Sequence, residues 1–149
     1  MDPVRFTVPL PPLAQPRVKA VVRGKHAGVY TPTKNSKGES NGVEEYKEAI
    51  QLFARLAMGG RPPIAGPVRC DVVFVFPRCK SREWLKKRPG RLRHTVKPDR
   101  DNLDKCVLDA LKGITWHDDC QACEGEIQKW YAAFGETPHA QVTISLLTD

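Results

Sequence analysis

From Val4 to Val8 apolar and polar side chains alternate, the period-two pattern of a strand with one buried face. Pro9, Pro11, Pro12 and Pro16 then interrupt regular structure. Residues 17–40, rich in Lys, Gly, Ser and Asn, read as a long, mobile basic loop. The period changes at Val43. Val43, Tyr46, Ile50, Phe53, Ala54 and Ala57 fall on one stripe at helical spacing, which predicts a helix over 43–58. Gly59-Gly60 stops it and Pro62-Pro63 prevents its return. Val68 to Phe76 is dense in β-branched and aromatic residues and reads as a buried strand. A second helix is expected over Asn102 to Lys112, with Leu103, Cys106, Val107, Ala110 and Leu111 on one face and Gly113 as its stop. Ile127 to Phe134 and Val142 to Leu147 are expected strands. The order β, α, β, α, β, β predicts an α/β (α+β) fold, a mixed β-sheet packed by two main helices.

Length adds that 1–149 is expected to form a single compact domain with a sizeable core. No apolar run approaches a membrane span, and Met1-Asp2-Pro3-Val4-Arg5 lacks the layout of a signal peptide. The expected location is therefore cytoplasmic, with neither a membrane partner nor a nucleotide cofactor. Five cysteines, an odd number, read as free thiols in a reducing compartment.

Charge changes the picture more. The net charge is +7, yet residues 78–100 alone hold ten Lys or Arg against two acids, a local +8. Arg78, Lys80, Arg82, Lys86, Lys87, Arg88, Arg91, Arg93, Lys97 and Arg100 make this a candidate phosphate-tracking segment. Arg17, Lys19, Arg23, Lys25, Lys34 and Lys37 in the preceding loop either extend that surface or are simply solvated. Trp84, among the basic residues, either stacks on an unpaired base or packs.

An acidic cluster adjoins the basic segment. Asp99 and Asp101 are two apart, and in an extended segment both project to one side. Lys105 follows Asp101 at helical spacing, and Asp109 continues that face. Asp118-Asp119 returns after one helix and a short turn. Crowded carboxylates repel, so such a cluster implies a hard divalent cation, Mg²⁺ or Mn²⁺. Asp99 and Asp101 are candidate metal ligands, the Asp118-Asp119 pair offers a third carboxylate to complete the site, and Lys105 would neutralise charge on a reacting phosphate. The plain alternative is that Asp101 caps a helix. His117-x-x-Cys120-x-x-Cys123 also has zinc-like spacing, needing Cys106, Cys79 or His94 as a fourth ligand.

The ordered set Asp99-x-Asp101-Asn102-Leu103-x-Lys105, Asp109-Ala110-Leu111 and Asp118-Asp119-x-Gln121 resembles the RusA family of Holliday junction resolvases. Tyr30-Thr31-Pro32 before a helix and Phe76-Pro77-Arg78 at a strand end extend the resemblance. It implies a small homodimer that binds branched DNA, chiefly four-way junctions, and nicks opposing strands symmetrically with Mg²⁺, for which Mn²⁺ substitutes. It carries the family's catalytic aspartates onto Asp99, Asp101 and Asp119 and its essential lysine onto Lys105, with Asp118 auxiliary. The competing function is a branched-DNA-binding protein without catalysis.

Overall fold

The computed structural model describes residues 1–80 and 82–148, with the backbone but not the side chains of Glu83 and Trp84. The role expected of Trp84 therefore lies outside the described residues. In chain order the elements are β1 (Val4–Val8), β2 (Lys19–Arg23), β3 (His26–Tyr30), α1 (Val43–Met58), β4 (Val68–Phe76), α2 (Glu83–Lys86), β5 (Leu92–Arg93), α3 (Arg100–Leu111), β6 (Ala122–Glu124), β7 (Ile127–Tyr131) and β8 (His139–Leu146). A 3-10 turn at Asp119–Gln121 precedes β6.

The main sheet runs β1-β8-β4-β7-β5, with β6 also paired to β4. It is mixed: β4 is antiparallel to β8 and parallel to β6 and β7. A parallel partner cannot be reached through a tight hairpin. The chain between β4 and β7 therefore makes a long crossover, and that crossover contains the basic segment, α3 and the acidic residues. Val4, Phe6 and Val8 from β1, Val68, Val72 and Phe74 from β4, and Val142 and Ile144 from β8 form one buried face. Helices α1 and α3 pack on it through Tyr46, Ile50 and Ala54, and through Leu103, Val107 and Leu111.

Helix α1 occupies 43–58 as its apolar stripe predicts, with Glu44 and Glu45 in the first turn and Arg55 in the last, each favourable to the helix dipole. Gly59 ends it at φ 59°, a left-handed conformation costly to a residue with a Cβ.

Four expectations need correction. The segment 17–40 is not a loop throughout, because β2 and β3 pair as an antiparallel hairpin. Its tight turn has Gly24 at φ 62° in the first central position, where hairpin turns favour glycine. The pattern hid this because almost every hairpin residue is exposed, so no buried face marks a period of two. Helix α3 begins at Arg100, two residues early, and ends at Leu111. The strand expected to reach Phe134 ends at Tyr131, after which the Ala132 amide donates to the Phe76 carbonyl at 2.8 Å; β8 likewise begins at His139 rather than Val142.

Candidate active site

The acidic residues gather around α3. Asp99 is at its N-cap position in extended backbone (φ −73°, ψ 148°), and its carbonyl accepts the Leu103 amide at 3.2 Å. Its carboxylate makes no capping hydrogen bond. Asp101 lies inside the first helical turn. The two carboxylates thus leave the chain from different backbone states, which corrects the expectation of one extended segment. Both are exposed, as is Lys105, one turn beyond Asp101 on the same face. Arg17, Lys97, Pro98, Asp99 and Asn102 line a cavity of about 440 Å³. Arg17 arrives there because the Gln15 amide donates to the Asn102 carbonyl at 3.0 Å, tying the proline-rich segment to the start of α3.

Asp119 comes from the 3-10 turn. The indole of Trp116, fully buried, donates Nε1–H to Asp119 Oδ1 at 2.9 Å. Burial raises the Asp119 carboxyl above its ordinary range, the Trp116 bond opposes this, and the nearby Asp109 carboxyl, within hydrogen-bonding reach, adds to the rise. Asp104 is the carboxylate that sequence reasoning passed over. Burial raises its pKa, the Arg100 charge lowers it, and the Asp119 charge raises it again. Its signal was faint, a fourth acid at i+3 from Asp101 on the same helix.

The rest of the Asp118-Asp119-x-Gln121 motif is scaffolding. Gln121 Nε2 donates to the Ile64 and Gly66 carbonyls, each at 2.8 Å, while its Oε1 accepts the His117 and Asp118 amides at 2.8 and 2.9 Å. Asp118 completes a capping box with Gln121 and pairs with Lys112 at 3.4 Å. Its carboxylate thus caps the 3-10 turn and meets the Lys112 ammonium.

The basic residues divide in the same way. Arg78 donates to the carbonyls of Gly90 (3.0 Å), Ala132 (2.7 Å), Leu85 and Arg88, and lies over the Phe134 ring at 4.4 Å. This guanidinium folds the basic segment and has little left for a phosphate. Arg91 forms a two-pronged pair with Glu136 (Nε–Oε1 3.0 Å, Nη2–Oε2 2.6 Å), which pulls the Glu136 pKa down to about 2. Arg93 stacks on Trp130 at 4.0 Å. Arg82 is half-buried, whereas Arg17, Lys19, Lys80, Lys86, Lys87, Arg88, Lys97 and Arg100 lie exposed. The β2–β3 hairpin adds a basic face of Lys19, Arg23, His26 and Tyr30, backed by an apolar face of Ala20, Val22, Ala27 and Val29.

Hard carboxylate oxygens that repel one another suit a divalent ion. Among the described residues no three His, Cys, Asp or Glu side chains converge to hold a metal, which applies equally to the zinc pattern at His117, Cys120 and Cys123. Mg²⁺ needs no such cage, since it is commonly held by one or two carboxylates with water and substrate phosphate completing its shell. By their hard oxygen chemistry, carboxylates of this kind fit that ion. No helix among the described residues is long and apolar enough to cross a membrane.

Residues 9–145 match the family model described as endodeoxyribonuclease RusA. A Bacillus subtilis (strain 168) protein named "Uncharacterized protein YqaN" is 34% identical, over 97% of this chain and 96% of the relative.

Proposed function

Because the chain belongs to the RusA endodeoxyribonuclease family, we propose that this DNA-cleaving enzyme resolves four-way junctions, as a homodimer, by paired metal-dependent hydrolysis. The observation that carries the reading is the start of α3, where an uncapped Asp99 carboxylate shares a cavity with Arg17 and Lys97. A helix N-terminus favours a single carboxylate as a cap. An acid left uncapped at that position and flanked by two cations suits a phosphate held against a metal ligand.

In this reading Asp99, Asp101 and Asp119 supply the carboxylates for Mg²⁺ or Mn²⁺, one or two at a time, and Asp118 is left out of the set. The ion, when bound, would lower the pKa of water and stabilise the leaving oxygen. Arg17 and Lys97 bind the phosphate at the cavity. Lys105, one turn from Asp101, offsets negative charge as it grows on the reacting phosphate. Trp116 keeps Asp119 oriented through its indole N–H. The exposed basic residues and the basic face of the hairpin track the neighbouring backbone. Two opposing strands require two sites, which two-fold symmetry provides.

The test is an end-labelled four-way junction beside a matched linear duplex, with and without Mg²⁺. Wild type should give paired symmetric nicks on the junction alone and only with metal. Asp101→Asn should abolish cleavage while junction binding stays equal or tightens, because a charge that repels phosphate has gone. Tight junction binding by wild type without cleavage in Mg²⁺ or Mn²⁺ would instead support a non-catalytic branched-DNA-binding protein.

A further inference from the structure

One residue on the core-facing side of β7 does not suit its position. Ile127, Lys129 and Tyr131 lie opposite Val72, Phe74 and Phe76 of β4, and those three β4 side chains belong to the main core. Directly opposed residues share a face of the sheet. Alternation therefore asks for an apolar side chain at 129, and the chain has a lysine. Burial there disfavours its charged form, and the nearby Asp99 charge favours it.

The ammonium has a defined place. It donates to the Val96 carbonyl at 2.7 Å. The backbone of the same residue holds the same segment, because the His94 amide donates to the Lys129 carbonyl at 3.0 Å. The His94 ring in turn stacks on Phe76, 3.9 Å between centroids. Residues 94–96 are thus tied to one strand position by both backbone and side chain. Three residues after Val96 the chain delivers Asp99.

We propose that Lys129 is a positioning residue for Asp99: by fixing the Val96 carbonyl it sets where the Asp99 carboxylate leaves the chain, and so how tightly the site holds its divalent ion. This rests on the reading of Asp99 as a metal ligand. Two effects of the lysine oppose each other. A positive charge near a cation site repels the ion, so its mere removal would tighten binding. Loss of the tether would loosen binding, as removal of groups that orient metal ligands typically does by 10- to 100-fold. The proposal requires loss of the tether, the 2.7 Å bond to the Val96 carbonyl, to outweigh removal of the charge.

The experiment measures Mn²⁺ binding to DNA-free protein, from the electron paramagnetic resonance signal of free Mn²⁺. Wild type, Asp99→Asn, Lys129→Met and Lys129→Arg are compared, with thermal melts and metal-free junction binding alongside. Lys129→Met should bind Mn²⁺ about 10-fold or more weakly. Its melt should be unchanged or higher, since methionine suits the core-facing position, and its metal-free junction affinity should stay within about twofold of wild type. Lys129→Arg, which keeps charge and donor, should stay within about threefold of wild type for Mn²⁺. Unchanged or tighter Mn²⁺ binding by Lys129→Met would overturn the proposal. So would an arginine variant as weak as the methionine one, or a methionine variant that fails to fold, since the lysine would then support the sheet rather than the ligand. A wild type that binds no Mn²⁺, or an Asp99→Asn protein that binds it equally, would instead bring down the reading of Asp99 as a ligand, and this inference with it.

Discussion

Single side chains at the proposed site divide between those assigned to the chemistry and those that hold them in place. Asp119 and Trp116 show the division, because a fully buried indole has one polar atom and spends it on the Asp119 carboxylate. Trp116→Phe should keep the packing and lose the bond. A lost hydrogen bond to a charged group costs about 1.5–3 kcal/mol. Part of that should appear in a thermal melt, and cleavage should fall by 10-fold or more while metal-free junction binding stays constant. His94 makes a separate prediction about pH. Burial lowers its pKa from 6.5 to about 4, with the Lys129 charge acting in the same direction. The unfolded chain takes up this proton near pH 6.5 and the folded chain only near 4. Stability from the neutral ring is therefore complete above pH 6.5 and is lost as pH falls from there towards 4, by roughly 2–3 kcal/mol. Urea midpoints between pH 7 and 4 should show the loss, and His94→Phe should flatten it.

Elements gain their positions here from a few polar staples. Among its described residues, the basic segment between β4 and α3 has only a four-residue helix and a two-residue strand of its own. Arg78 gathers it by bridging carbonyls from residues 85, 88, 90 and 132. Arg78→Ala would leave several of these carbonyls without partners, so a loss of about 2–4 kcal/mol is expected in chemical denaturation. Junction affinity should fall with it, because the exposed lysines and arginines lose their frame. Arg78→Lys should rescue little, since one ammonium cannot reproduce the planar fork. This division was only partly legible beforehand. A sequence shows ten positive residues but not which of them hydrogen-bond their own backbone, because such bonds join positions up to 54 apart.

At the scale of the whole molecule, the parallel pairing of β4 with β7 forces the long crossover that contains the basic segment, α3 and the acidic residues. The β2–β3 hairpin stands outside that sheet, and its polar face holds Lys19, Arg23, His26 and Tyr30. If that face tracks phosphates, replacing both Lys19 and Arg23 by serine should weaken junction binding. The slope of log affinity against log salt should shrink by about 0.9 for each phosphate that is no longer neutralised, up to about 2 in total. Cleavage at saturating protein should change little. An unchanged salt slope would exclude the hairpin from the DNA surface.

The sequence by itself determined the elements whose side chains repeat with a period against a common core. Helix α1 and strands β1 and β4 have the bounds their patterns predict, because burial on one face leaves a regular trace in the chain. It also pointed to the family, which the match over residues 9–145 shows. Tertiary structure decided the rest. The hairpin left no trace because neither of its faces is buried. Asp104 and Lys129 drew no notice because an acid on a helix and a lysine on a strand are ordinary until their neighbours are known. Gln121 is anchored by carbonyls more than fifty residues away, and the capping role of Asp118 depends on that anchor. Local periodicity records what is buried, whereas the direction and partner of a polar side chain are fixed only when distant segments meet.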